Sequence, residues 1–308
     1  MTPTPPAPSP PPPAPSRFGR SGFAGRLGST LGLWVLVAVV VVVGHPLGFA
    51  ALISLLVLAA TREFHAMVAG AGVARTTAPG MVAAGGYTAL LFGALWAGAS
   101  RETLHLLDVG FFALLMIAFF AIQMGRPVRE HRALLVLGAL WGGFAYLVFG
   151  FHFTTRIVFF DWDPAVAGMP PGAWLALWLV AVTKFSDMGA YLTGTALGRH
   201  KMIPHISPAK TWEGLGGAFV FALLAGALIP LLRPDVFAEL GGLWTRVGLA
   251  ALLTMFAVFG DLAGSLIKRS LAAKDSGRSL PGIGGALDLV DSICFTAPVL
   301  YLFLVFTS

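Results

Sequence analysis

Long apolar runs follow one another along almost the whole chain, and they limit its fold more than any other feature. A helix needs roughly 17 to 25 mostly apolar residues to cross a bilayer, and only helices or closed barrels satisfy the backbone there. The mean hydropathy is +0.83 and 57% of the residues are hydrophobic, as in a polytopic membrane protein. The sequence therefore predicts an all-α integral membrane protein with about nine transmembrane helices. The predicted spans are 29–44, 46–61, 80–98, 104–124, 132–150, 172–193, 214–232, 247–268 and 287–306.

The basic residues are divided unequally between the two sides of this arrangement. Most of the 20 lysines and arginines fall in the N-terminal tail and in the loops on the same side as the tail. Because Lys and Arg favour cytoplasmic loops, we expect a cytoplasmic N-terminus and an external C-terminus. The basic residues are dispersed among short loops and form no basic face, so we expect no nucleic-acid partner.

Composition divides the chain into three regions. Residues 1–28 are rich in proline, which cannot form a helix or bury a core, so we predict a disordered cytoplasmic tail. Residues 29–170 hold the N-terminal transmembrane helices and few polar residues. Residues 171–308 hold further helices and two polar segments, 184–214 and 261–291.

The segment 261–291 concentrates ionisable residues between apolar runs, where such residues are costly and usually mark a site. Asp261, Ser265 and Lys268 are spaced to share one helical face, and Asp288 lies three residues before Asp291. Two carboxylates so close repel each other unless a cation lies between them. Hard oxygen ligands suit Mg²⁺, which takes one or two carboxylates together with substrate phosphates. The structural alternative is that these acidic residues stabilise a helix N-terminus. This explanation fits Asp288 better than Asp291 or Asp261.

The segment 184–214 carries a second set of polar residues. Lys184, Asp187 and Tyr191 fall on one helical face, and we expect this helix to end near Gly194 or Gly198. Thr211 can cap the next helix, whose free amides beside Lys210 would suit a phosphate. A charged loop before a well-capped helix is the alternative interpretation.

A weaker candidate lies near the end of the second predicted span. Glu63 is followed closely by His65. We expect a solvated pair at the membrane interface, because ionisable residues at helix ends normally face water or headgroups.

Together the two segments resemble the phosphatidate cytidylyltransferase (CDP-diacylglycerol synthase) family. The residues in register with the family signature are Ser265, Lys268, Arg269, Lys274, Asp275, Pro281, Gly282, Gly284, Gly285, Asp288 and Asp291. Upstream, Asp187-x-x-Ala190-Tyr191 and the run from Ser207 to Gly214, SPAKTWEG, are also similar to that family. Two positions depart from the signature, because Ile283 replaces the usual histidine and Leu289 the usual arginine.

The resemblance implies transfer of CMP from CTP to phosphatidate in phospholipid biosynthesis, giving CDP-diacylglycerol and pyrophosphate. It implies Mg²⁺ as cofactor, held by Asp261, Asp288 and Asp291, with these residues and Lys268 as the catalytic group. The implied substrate-binding residues are Asp187, Ser207, Lys210, Thr211, Ser265, Arg269, Lys274, Asp275, Gly282, Gly284 and Gly285. It also favours a bacterial plasma membrane, an active site facing the cytoplasm, and a possible homodimer.

Two alternatives remain open. Ile283 and Leu289 leave room for a CTP-dependent transferase that acts on another lipid phosphate or on a polyprenol. In a different class, Lys184, Asp187 and Asp261 could form the ion relay of an ion-coupled transporter. The chain shows no internal repeat of the kind that transporters often carry.

Overall fold

Long helices make up most of the computed structural model, which describes residues 32, 35–127, 131–163, 168–273, 276–277 and 284–307. The helices are α1 (Pro46–Gly70), α2 (Thr77–Trp96), α3 (Arg101–Met124), α4 (Arg132–Gly143), α5 (Gly150–Val158), α6 (Ala173–Leu197), α7 (Trp212–Leu228), α8 (Leu243–Ser270), α9 (Ala286–Val290) and α10 (Ile293–Thr307). A π-helix, Phe144–Phe149, joins α4 to α5, and the short 3₁₀ segments Ile229–Leu232 and Val236–Leu240 follow α7. The strands are β1 (Lys201–Ile203) and β2 (Ser207–Thr211).

Eight helical stretches within the described ranges are long and apolar enough to cross a membrane. Residues 35–43, just before α1, are helical as well. These stretches confirm the prediction of an all-α polytopic membrane protein. The predicted tail 1–28 lies outside the described residues, and the division into 1–28, 29–170 and 171–308 stays a prediction.

Three local features differ from the predicted spans. The span predicted at 132–150 continues to Val158 through the π-helix, in one stretch of 27 residues. The last predicted span is divided at Asp291 and Ser292, between α9 and α10. Finally, β1 and β2 form an antiparallel hairpin where the sequence predicted only a polar loop.

Helices α6 and α7 approach each other closely beneath this hairpin. A Cβ added to Gly189 of α6 would lie 2.4 Å from the carbonyl oxygen of Gly217 in α7. Only glycine permits that approach, as in other membrane helix pairs that contact through small residues. Helix α8 packs against both of them, and α10 packs against α6 and α8; Leu253 of α8 and Leu300 of α10 are fully buried. The predicted polar segments lie at one end of this four-helix group.

Candidate active site

The two polar segments meet in one cavity of about 340 Å³. Its lining includes four carboxylates: Asp187 from α6, Asp261 from α8, and Asp288 and Asp291 from α9 and the turn after it. Asp187 lies well before the end of α6 at Leu197, a distance of about 15 Å at about 1.5 Å per residue. The cavity therefore reaches below the helix ends, into the depth of the apolar spans.

Three of the four carboxylates form ion pairs with lysines from the same two segments. The pairs are Lys184 Nζ to Asp187 Oδ2 at 3.3 Å, Lys210 Nζ to Asp261 Oδ2 at 2.7 Å, and Lys268 Nζ to Asp288 Oδ1 at 2.5 Å. The predicted neighbours Lys184 and Asp187 thus do meet on one helical face. Asp261 pairs with a residue of the other segment, so the pair from Lys210 ties the hairpin to α8.

Asp291 differs from the other three carboxylates. Its residue is only 4% exposed, and within the described ranges no lysine or arginine forms an ion pair with it. Oδ1 accepts hydrogen bonds from the amide of Ser292 at 2.7 Å and from its hydroxyl at 3.3 Å. A Cβ on Gly264 would lie 2.7 Å from Oδ2, so glycine makes room for this oxygen. A buried carboxylate with so little compensation is costly unless a cation or a proton joins it.

The hairpin delivers Lys210 to the cavity through local contacts. Thr211 caps α7 as predicted, since its hydroxyl accepts from the amide of Gly214 at 3.1 Å. Glu213, in the first turn, accepts from the amides of Arg199 and His200 and contacts His200 Nδ1 at 2.6 Å. These bonds tie the start of the hairpin to the start of α7. Lys210 Nζ also donates to the carbonyl oxygen of Val258 at 3.3 Å.

The other predicted site residues divide into four groups. Ser207, Thr211 and Tyr191 line the cavity. Ser265 is half-buried and Arg269 exposed on α8, and neither belongs to that lining. Gly284, at φ +116°, and Gly285 immediately precede α9. Lys274, Asp275, Pro281, Gly282 and Ile283 lie outside the described residues.

The donor chemistry of the cavity suits Mg²⁺. In the part of the chain that the structure describes, no three His, Cys, Asp or Glu side chains converge as a ready metal site. Mg²⁺ needs no such cage, because it usually binds through one or two carboxylates, waters and substrate phosphates. Buried Asp291, beside Asp288 and Asp261 in one cavity, offers the oxygen ligands that this mode of binding requires.

One side chain of the cavity, Ser186, escaped the sequence analysis, and the position expected for Glu63 and His65 differs from the structure. Ser186 lines the cavity, and its buried hydroxyl has no hydrogen-bond partner in the described ranges. The expectation of a solvated pair at Glu63 and His65 is wrong, because they are only 5% and 1% exposed. Helix α1 continues to Gly70, which places both residues inside the protein. An acidic residue within a longer apolar span was the signal that could have indicated this.

A second, almost wholly apolar cavity of about 360 Å³ adjoins the first. Leu289 and Val290 of α9 line it, whereas Asp288 and Asp291 line the polar cavity. Lys184 also lines the apolar cavity while it pairs with Asp187 of the polar one. Leu289, which replaces the arginine of the signature, therefore has an apolar environment.

The chain is similar to known proteins. A family model described as the cytidylyltransferase family matches residues 25–307. A phosphatidate cytidylyltransferase of Brucella suis is 45% identical over 134 residues, which is 44% of this chain and 48% of that protein. One of Staphylococcus saprophyticus is 41% identical over 134 residues, 43% and 47% respectively. The uncharacterised protein YnbB of Escherichia coli K12 is 38% identical over 172 residues, 50% and 55%. The chain spans about half the length of the curated relatives it matches.

Proposed function

Because this chain belongs to the cytidylyltransferase family, we propose that it transfers CMP from CTP to phosphatidate, giving CDP-diacylglycerol and pyrophosphate. The relatives from Brucella and Staphylococcus bear the name of that activity. The observation that carries the proposal is the pair of adjoining cavities, one lined by four carboxylates and Lys210, the other almost wholly apolar. A substrate with a phosphate headgroup and acyl chains fits such a pair.

The proposed reaction is an exchange of phosphorus–oxygen bonds. A phosphate oxygen of phosphatidate attacks the α-phosphorus of CTP, and the bond from that phosphorus to the pyrophosphate oxygen breaks. The attacking oxygen is already an anion, so the site needs no strong general base. Its task is to bring two polyanions together and to stabilise the charge on the departing pyrophosphate. Lys210, which lines the polar cavity, and Lys268, which pairs with the cavity residue Asp288, are the cations that can do so.

Mg²⁺ is the proposed cofactor, held by Asp261, Asp288 and Asp291. When bound, it supplies positive charge to the phosphate oxygens of the substrates. Asp291 supports this assignment, because it is a buried carboxylate with which no lysine or arginine of the described residues forms an ion pair. Asp288 and Asp261 each pair with a lysine. The metal and these lysines would therefore share the negative charge of the carboxylates and of the substrate phosphates.

The lipid substrate would enter from the bilayer with its acyl chains in the apolar cavity. Lys184, on the border between the cavities, is placed to meet the headgroup. The excess of basic residues on the side of the N-terminal tail favours an active site that faces the cytoplasm. The named relatives are bacterial, which favours the plasma membrane. The homodimer stays a prediction.

A direct assay tests the proposal. The purified chain in lipid nanodiscs would receive labelled CTP, Mg²⁺ and one lipid acid at a time: phosphatidate, an ether-linked phosphatidate or a polyprenyl phosphate. We expect labelled CDP-diacylglycerol from phosphatidate and loss of product when EDTA removes the metal. Product from another lipid acid alone would change the proposed substrate. No CDP-lipid from any acceptor would contradict the proposed activity.

A larger side chain in the apolar cavity should impair lipid binding alone. Val180 lies one helical turn before Lys184 and lines that cavity. We expect Val180→Phe to raise the KM for phosphatidate about tenfold, since overpacking costs about 1–3 kcal/mol, while the KM for CTP changes little. Initial rates with each substrate varied in turn would measure both constants.

The matched control for Val180→Phe is Leu224→Phe, on an exposed apolar position of α7. It adds a similar ring outside the cavity and should leave both KM values unchanged. Equal effects of Val180→Phe on the two KM values would show that the cavity does not serve the lipid alone.

A further inference from the structure

We propose that Glu63 is a positioning residue that holds the α9 segment, and with it Asp288, in its place in the polar cavity. Glu63 belongs to α1, far from the catalytic segment in sequence, and it does not line the cavity. The inference rests on the proposed function for its kinetic consequences. The structural part of the proposal, that Glu63 of the N-terminal half holds α9 in place, can be tested separately.

The first contact is a helix cap supplied from another helix. Helix α9 has only five residues, and its own N-cap residue, Gly285, has no side chain to cap it. Glu63 Oε2 accepts from the amide of Leu287, in the first turn of α9, at 3.0 Å. A carboxylate at this position satisfies an otherwise orphaned amide and favours the positive end of the helix.

The second contact leads to Asp288 itself. The hydroxyl of Ser276 lies between two carboxylates, 2.7 Å from Asp288 Oδ2 and 3.5 Å from Glu63 Oε2. The amide of Ser276 also points to Asp288 Oδ2, at 3.5 Å. Asp288 is thus held through the backbone of the preceding residue, Leu287, by the Glu63 cap and through its own side chain by Ser276 and Lys268.

The backbone around Glu63 closes tightly on its carboxylate. A Cβ on Gly277 would lie 2.5 Å from Oε1, and a Cβ on Gly285 would lie 2.5 Å from Oε2. A side chain at either position would therefore require the carboxylate or the backbone to shift. The two glycines and the amide of Leu287 surround the carboxylate closely. We therefore expect a small movement of Glu63 to displace the start of α9.

The length of the side chain, more than its charge, should decide the effect of a substitution. Glu63→Gln keeps the reach and an acceptor oxygen for the Leu287 amide. Glu63→Asp keeps the charge but is shorter by one methylene, so its carboxylate cannot hold the same contact without movement. Positioning therefore predicts that the Gln variant behaves nearly like the wild type and that the Asp variant does not.

Hydrogen–deuterium exchange in nanodiscs tests this without any assay of activity. We expect peptides that cover 284–292 to exchange at least tenfold faster in Glu63→Asp and Glu63→Ala, and within threefold of the wild type in Glu63→Gln. Glu102→Ala, at an exposed residue in the first turn of α3, is the control. Unchanged exchange in the Asp and Ala variants would overturn the proposal.

Kinetics provide the second readout. We expect Glu63→Asp to lower kcat about tenfold or more and to raise the Mg²⁺ concentration for half-maximal rate, with little change in the KM for CTP. Glu63→Gln should leave both kcat and the Mg²⁺ concentration for half-maximal rate near the wild-type values. A merely destabilised enzyme would lose active fraction without a shift in Mg²⁺ dependence. An equal loss of kcat in Glu63→Gln and Glu63→Asp would overturn the proposal that the length of this side chain positions α9. A wild type without activity would contradict the proposed function and leave the exchange experiment decisive.

Discussion

Asp288→Asn is expected to lower the rate of CDP-lipid formation by about 100- to 1,000-fold, the loss typical of removing one group that stabilises charge in a transition state. The substitution keeps the shape of the side chain and removes its charge. Lys268, whose Nζ lies 2.5 Å from Asp288 Oδ1, would lose its counterion, and the proposed metal would lose a ligand. Initial rates at saturating CTP and phosphatidate would measure the effect.

The control for Asp288→Asn is Asp235→Asn. Asp235 also pairs with a basic residue, Arg233 at 2.8 Å, but both side chains are exposed outside the cavity. Exposed ion pairs contribute little, about 0–1 kcal/mol, so this variant should keep its rate. Asp288→Asn should still insert and unfold near the wild-type temperature, because the amide can accept from Ser276. A rate within threefold of the wild type would show that the chemistry takes place elsewhere.

The helices were predictable because the bilayer imposes one requirement on every span. Apolar length alone located most ends of the stretches from Pro46 to Thr307 to within about four residues, but the ends at Gly70 and Val158 lie about nine and eight residues beyond the predicted ones. Local rules were equally sufficient for the cap at Thr211, which depends only on a hydroxyl three residues before an amide. The shared face of Lys184 and Asp187 followed from helical periodicity in the same way.

The features that the sequence did not reveal have different causes. The sequence predicted that Glu63 lies at the membrane interface, whereas in the structure it contacts α9. The contact to Leu287 joins distant parts of the chain. The break between α9 and α10 at Asp291 and Ser292 interrupts an apolar run that reads as one helix. The β-hairpin is too short to leave a periodic signal, and Glu213 secures it from the next helix.

The pairing within the polar cavity was predicted only in part. The resemblance brought both polar segments to one site, and the structure confirms that Asp187, Asp261, Asp288 and Asp291 line one cavity. The sequence did not assign each lysine to its carboxylate, because Lys210 and Asp261 come from separate segments. The roles of these residues in binding and catalysis stay predictions.

Lys210→Met is expected to lower kcat/KM for CTP by about 100-fold, the lower end of the range for a lost charge-stabilising group. Lys210 Nζ lies 2.7 Å from Asp261 Oδ2 in the cavity where the phosphates are proposed to bind. Methionine keeps most of the length and apolar bulk of the side chain. The control is Lys201→Met, at an exposed residue of β1 in the same hairpin, which should stay within twofold of the wild type.

A double-mutant cycle with Asp261→Asn distinguishes two ways in which Lys210 could matter. If Lys210 only neutralised Asp261, removing both charges would restore the balance, and the double variant would be no worse than Asp261→Asn alone. If Lys210 acts on substrate phosphate while Asp261 acts on the metal, the double variant loses both functions and falls below either single variant. We expect the second outcome, because the proposed reaction gathers negative charge from two substrates and three of the four carboxylates in the cavity already have lysine partners. The loss of the Lys210 charge would not be offset by the loss of the Asp261 charge, because the proposed metal also requires Asp261.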